Sequence, residues 1–181
     1  VTIDEETKSG TAKYIMTYKI PKLKEKRDKS VSVANTGTSR GSIGLYMSHN
    51  DESYISGDGY DSVYGKGGIH EVTKSLATSL SAKSINVIVD ETLHIPHDYY
   101  AYSRSSVTAK RLLANNNLDG LFDIHRDATS RGFYVTKVNG EEHCMVRMVI
   151  GKSNPNYEEN RGFALYLISV SKLYCPWLFV D

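Results

Sequence analysis

The chain has 181 residues, of which 40% are apolar and 24% charged, with only 4 Pro; this excludes a disordered or fibrous protein and fits one globular domain. Its 22 Lys and Arg against 21 Asp and Glu leave a formal charge of +1, which excludes a broad phosphate-tracking surface and argues against a nucleic-acid partner. Two cysteines, Cys144 and Cys175, are too few for a disulfide scaffold or a four-thiolate metal site, and no segment reads as a signal peptide or a spanning helix.

Residues 1–40 differ from the rest, with nine Lys or Arg against five Asp or Glu. TAKYIMTYKI (Thr11 to Ile20) reads as a short strand, and the charged KLKEKRDKS run after it as a solvated connection. The expectation is a loosely ordered lead-in over 1–40, at most an edge strand, before a domain over 41–181. SIGLYM (Ser42 to Met47) then reads as a strand ending at the polar cluster SHNDES. A glycine-rich turn region follows from Ser56 to Gly68.

Ile69, Val72, Leu76 and Leu80 recur at spacings of three and four, which predicts a helix over 69–81 that buries Ile69, Val72 and Leu76. SINVIVD (Ser84 to Asp90) is a β-branched run and reads as a buried strand. A second helix is expected over 98–113, broken by NNNLDG, and LFDIH (Leu121 to His125) as a third strand. FYVTKV and CMVRMVI read as two more strands around the Asn139-Gly140 turn signal. A last helix is expected over 158–173, with Phe163, Leu167, Val170 and Tyr174 on one side. This order predicts an α/β fold: three layers, a mostly parallel or mixed sheet with helices on both faces. The polar clusters then fall at the carboxyl ends of strands, the edge where open α/β sheets place their sites.

Four clusters hold five of the six histidines with acidic neighbours: His49 near Asp51 and Glu52, His70 beside Glu71, His94 and His97 before Asp98, and His125 between Asp123 and Asp127; His143 lies outside them, after Glu141 and Glu142. A divalent metal needs three or four nitrogen or oxygen ligands converging from different elements, and strand-end histidines with a helix glutamate meet that need. The residues alone leave two readings open. One is a metal hydrolase; the other is hydrogen-bonded histidines and a first-turn Glu71 favoured by the helix dipole. Asp123 and Asp127 read equally as groups orienting an imidazole or as a helix cap and a salt bridge. Tyr99, Tyr100 and Tyr102 either line a groove or anchor their helix.

Four blocks carry a resemblance. LYMSHNDESYISGDG with GKGGIHEV, then LHIPHDYYAYSRSSVTAKRLL, then LFDIHRDA, then VRMVIGKSNPNYEENRGFALYL resemble, in order and spacing, the stage II sporulation protein P family. That resemblance implies a zinc amidase-like fold and a zinc-dependent N-acetylmuramoyl-L-alanine amidase with endopeptidase activity on crosslinks. It implies peptidoglycan stem peptides as substrate and the engulfment machinery, including a lytic transglycosylase, as partner. The place implied is extracytoplasmic, between mother-cell and forespore membranes, with a membrane anchor outside these 181 residues.

Carried over by residue, the resemblance implies His49, Glu71 and His125 as Zn2+ ligands, with His94 in reserve, and Glu52 as the catalytic carboxylate that moves the proton. His94, His97, Asp98, Arg104, Arg126 and Asp127 are implied as substrate-binding or supporting groups. Two departures stand out. Met47-Ser48-His49 replaces a His-Thr-His or His-Ser-His pattern, and the family pattern continues past the last helix to a strand bearing a glutamate base, whereas this chain ends at PWLFVD. The expectation is therefore a domain lacking its final segment, either an amidase or a catalytically impaired peptidoglycan-binding or scaffold domain of the same fold.

Overall fold

A computed structural model describes residues 40–180. The expected lead-in and its strand at 11–20 lie outside the described residues, Arg40 apart. In chain order the elements are β1 (Ser42–Tyr46), a single turn α1 (Ile55–Asp58), α2 (Ile69–Ser81), β2 (Asn86–Asp90), α3 (Ala101–Asn115) and β3 (Gly120–Asp123). A hairpin, β4 (Val135–Val138) and β5 (Glu141–Cys144), precedes α4 (Tyr157–Tyr174).

β1 is central, in the order β2-β1-β3, with both pairings parallel; Tyr46 is in register with Asp90 on one side and Asp123 on the other. The chain steps one way from β1 to β2 and back over β1 to β3. Right-handed crossovers in opposite directions send α2 and α3 to opposite faces. On the α3 face, Tyr46, Ala109, Leu112 and Leu121 form the core, with Ile88, Leu113 and Leu118 packed against it. Gly44 makes room there, because a Cβ would lie 2.7 Å from methyls of both Leu118 and Leu121, which would have to shift. α2 packs against β2 and β1, and Phe122 meets Phe163 of α4 with ring centroids 6.0 Å apart. Leu45, Met47, Ile69 and Leu121 are essentially fully buried, each contributing about 1.5–3 kcal/mol relative to exposure. The fold is thus α/β, as expected, but among the described residues the parallel sheet has three strands and the antiparallel hairpin is not paired with it.

Three local expectations need correction. The buried stripe of α2 runs through Ile69, Thr73 and the half-buried Ala77 and Leu80, while Val72 and Leu76 are 42% and 38% exposed. Both spacings satisfy the helical period, and the sheet selects the neighbouring stripe. In α4 the buried set is Asn160, Ala164, Ile168 and Ser171, one residue round from the expected face; Tyr174 at its end is exposed. The second hairpin strand is Glu141–Cys144 rather than 144–150. Asn139 and Gly140 take φ of 53° and 87°, a two-residue turn that restarts pairing at once, with Val138 opposite Glu141. Beyond it, Val146 makes a single parallel bridge to Phe179.

Candidate metal centre

The carboxyl ends of β1 and β3 deliver the two segments that build the site. After β1 the chain runs through Met47 to Glu52 with every side chain buried. Ser48 N–H donates to Asp123 Oδ1 at 2.8 Å, and Ile124 N–H donates to Tyr46 O at 2.9 Å, which ties the two strand ends together. His49 and Glu52 sit on one turn, closed by Glu52 N–H to His49 O. Gly67 packs under this turn, its N–H donating to Asn50 O at 2.8 Å. A Cβ at Gly67 would fall 2.1 Å from Glu52 O and 2.5 Å from Asp51 O, so only glycine fits.

His49, Glu52 and His125 form the one group of potential ligands among the described residues whose donor atoms all lie within 4.8 Å of one another. Glu52 Oε1 is 3.6 Å from His125 Nδ1, while its Oε2 accepts the Arg126 N–H at 2.6 Å. The His49 ring lies 5.0 Å from that of His125, 4.3 Å from His97 and 4.5 Å from Tyr102, the last edge-on. Asp123 Oδ2, buried, stands 3.1 Å from His125 Nε2.

This donor set fits a divalent cation. Two imidazoles and a carboxylate are borderline ligands of the kind zinc takes, and two buried carboxylates call for positive charge. The imidazoles respond accordingly. Burial opposes charge on His125, but the charges and hydrogen bonds of Asp123 and Glu52 outweigh it and push its pKa up to about 10. Burial, and then the charge on His125, push His49 down to about 4. Without a metal the site therefore keeps one proton on His125 in place of a cation. The Tyr46 phenol is raised by burial and then by Asp123, so it stays un-ionised against that carboxylate.

Glu71, the expected third ligand, is not in this group: it is exposed on the first turn of α2. At 100° per residue, Glu71 points about 160–200° away from Ile69 and Thr73, which face the interior. Glu52, expected as the proton-moving carboxylate, is the one that stands within 4.8 Å of both histidines. The signal for it was in the sequence as the His-x-x-Glu spacing across one tight turn.

His94 is buried with every polar group used inside the protein. Its N–H donates to Asn50 Oδ1 at 2.7 Å, Nδ1 lies 2.7 Å from Met47 O, and Nε2 lies 2.9 Å from Thr108 Oγ1. Burial lowers its pKa, and its neutral ring pins the loop after β2 to β1. Arg104 is likewise engaged, donating to His94 O, Pro96 O and Asp98, whose carboxyl it holds below the usual range. Arg126 donates to Asp61 O and Asp127 O, and Asp127 accepts from the Tyr134 hydroxyl at 2.6 Å. Of His94 and His97, it is His97 whose ring packs on His49. Its Nδ1 is 2.8 Å from Oδ1 of the buried Asp51, and its side chain is 44% exposed. The sequence placed Asp51 beside His49 without a role for it, and left Tyr102 and Asp123 with alternatives open; nothing in a one-dimensional pattern separates a tyrosine that lines a cleft from its exposed neighbours Tyr99 and Tyr100.

A family model described as stage II sporulation protein P matches residues 2–179, so the match extends across the first forty residues as well. The stage II sporulation protein P of Bacillus subtilis (strain 168) is 29% identical over 147 residues, covering 74% of this chain and 37% of that relative. The chain thus spans little more than a third of the relative's length. No solved structure matches.

Proposed function

The chain belongs to the stage II sporulation protein P family, and from that premise we propose that it is a zinc-dependent peptidoglycan hydrolase. Its substrate in this reading is the amide joining N-acetylmuramic acid to the L-alanine of the stem peptide, with crosslink peptide bonds as a further class. The observation that carries the reading is the convergence of His49, Glu52 and His125 at the carboxyl edge of the parallel sheet. These three residues hold the zinc. When bound, zinc supplies Lewis-acid activation of water and of the amide carbonyl.

The surrounding residues then divide by what they touch. Asp51 fixes His97, whose exposed imidazole flanks His49 where an amide must approach, and Tyr102 walls the other side. Arg126 ties Glu52 to the Asp61 turn and, with Asp127, forms the floor. His94, Asp98 and Arg104 hold the loop that presents His97. The working place is extracytoplasmic, between mother-cell and forespore membranes, beside a lytic transglycosylase of the engulfment machinery. Among the described residues no helix is long and apolar enough to cross a membrane.

The test is release of stem peptide from purified muropeptides by the zinc-loaded chain, read by mass spectrometry, with chelated protein and Glu52→Ala as controls. Zinc-dependent release lost in the variant is expected. A chain that binds zinc through these residues yet releases nothing from any muropeptide overturns the hydrolase reading.

A further inference from the structure

The outer edges of both candidate imidazole ligands converge on one hydroxyl. Ser48, wholly buried, places Oγ 2.7 Å from His125 Nε2 and 3.3 Å from His49 Nδ1. Asp123 joins it from the end of β3: Oδ1 accepts the Ser48 N–H, and the buried Oδ2 lies 3.1 Å from the same His125 Nε2. On the opposite edge of that ring, Nδ1 is 3.6 Å from Glu52 Oε1. Ligand atoms bound at about 2.0–2.2 Å to one tetrahedral zinc are about 3.3–3.5 Å apart, so Nδ1 and Oε1 already stand near the separation one ion requires. His125 Nε2 faces protein acceptors instead.

We propose that Ser48, with Asp123, is a positioning residue that decides which ring nitrogen each histidine offers a divalent metal: Nδ1 from His125 and Nε2 from His49. The inference rests on the metal-dependent reading above and goes beyond it. A serine oxygen has two lone pairs, so one hydroxyl accepts the outward N–H of both neutral rings. Asp123 Oδ2 shares the His125 N–H, and a carboxylate behind a metal-bound imidazole both orients it and raises its basicity. The backbone of Ser48 is held in place. Its backbone N–H is anchored on Asp123, and its neighbours Met47 and His49 are buried on either side.

Long-range 1H–15N spectra of the zinc-loaded chain identify the metallated nitrogens directly, and a competing chelator gives zinc affinity for the native chain and for Ser48→Ala, Ser48→Thr and Asp123→Asn. The expected result is Nδ1 metallation of His125 and Nε2 metallation of His49. Ser48→Ala and Asp123→Asn should each weaken zinc about 10–100-fold, with Ser48→Thr, which keeps the hydroxyl, within about threefold of native. Metallation of His125 at Nε2, or undiminished affinity in Ser48→Ala, overturns the proposal while leaving the metal site standing. If a variant fails to fold, the nitrogen assignment in the native chain decides alone. A native chain that binds no zinc overturns the metal reading and this inference together.

Discussion

Zinc binding should displace one proton across the neutral range, and the size of the effect follows from the site's electrostatics. His125 sits between Asp123 and Glu52 with its pKa pushed up to about 10, and His49 is held down at about 4. Between these values the two imidazoles together hold one titratable proton, on His125, which a cation must expel. Apparent zinc affinity should therefore rise about tenfold per pH unit, or about 100-fold from pH 6.5 to 8.5. Two imidazoles at the ordinary value near 6.5 would give only about a two- to fourfold rise over that interval. Chelator competition at fixed ionic strength measures the slope, and calorimetry in buffers of different ionisation enthalpy counts protons released. At pH 7.5 the count should be about one, against about 0.2 for ordinary imidazoles. Asp123→Asn removes one of the two charges raising His125, so its affinity should level off at a lower pH than that of the native chain. A flat affinity profile, or one that levels off at the same pH in Asp123→Asn, would refute the reasoning.

The same shifts set how the zinc-free chain responds to pH. A raised His125 stabilises the fold fully below about 6.5, and that contribution is lost as pH rises towards 10; a lowered His49 costs stability as pH falls from about 6.5 towards 4. Thermal melts of the zinc-free chain should thus show this pair contributing most near pH 6.5, and a melting temperature rising from pH 7 to 9 would contradict it. Glu71→Ala should leave zinc affinity and melting nearly unchanged, within about 0.5 kcal/mol, because the side chain is exposed. Glu52→Ala should abolish stoichiometric binding, and the reverse pattern in the same titration would restore Glu71 as the ligand. His94→Ala strands Met47 O and Thr108 in the interior and should cost about 2–4 kcal/mol in denaturant melts, with zinc stoichiometry of the folded fraction intact. Gly67→Ala forces a methyl onto the Asp51 and Glu52 carbonyls and should cost about 1–3 kcal/mol while weakening zinc, read by melting and chelator competition together.

How much of this was legible beforehand differs by element. Parallel strands and their helices announced themselves because their signals are local: β-branched runs such as NVIVD, a helical period over 69–81, and an Asn-Gly turn. Their order then implied an α/β fold with sites at strand ends, and His49 and His125 lie there as expected. The face that each helix buries was another matter. Val72 and Leu76 match the period of α2 as well as Thr73 and Ala77 do, and only the position of a three-stranded sheet selects between them.

The carboxylate that stands beside the two histidines shows the same division most clearly. By itself the sequence determined that histidines and carboxylates would crowd one edge of a parallel sheet, since strand ends and turn residues are written in short-range patterns. It also determined the family, through four blocks in order. Which carboxylate joins His49 and His125 was decided by the tertiary structure, because that depends on direction as well as proximity. The turn closed over Gly67 swings Glu52 inward, and the rotation of α2 carries Glu71 out to solvent. Ser48 and Asp123 meet behind the imidazoles for the same reason: residues 75 apart in the chain come into contact only when β1 and β3 lie side by side.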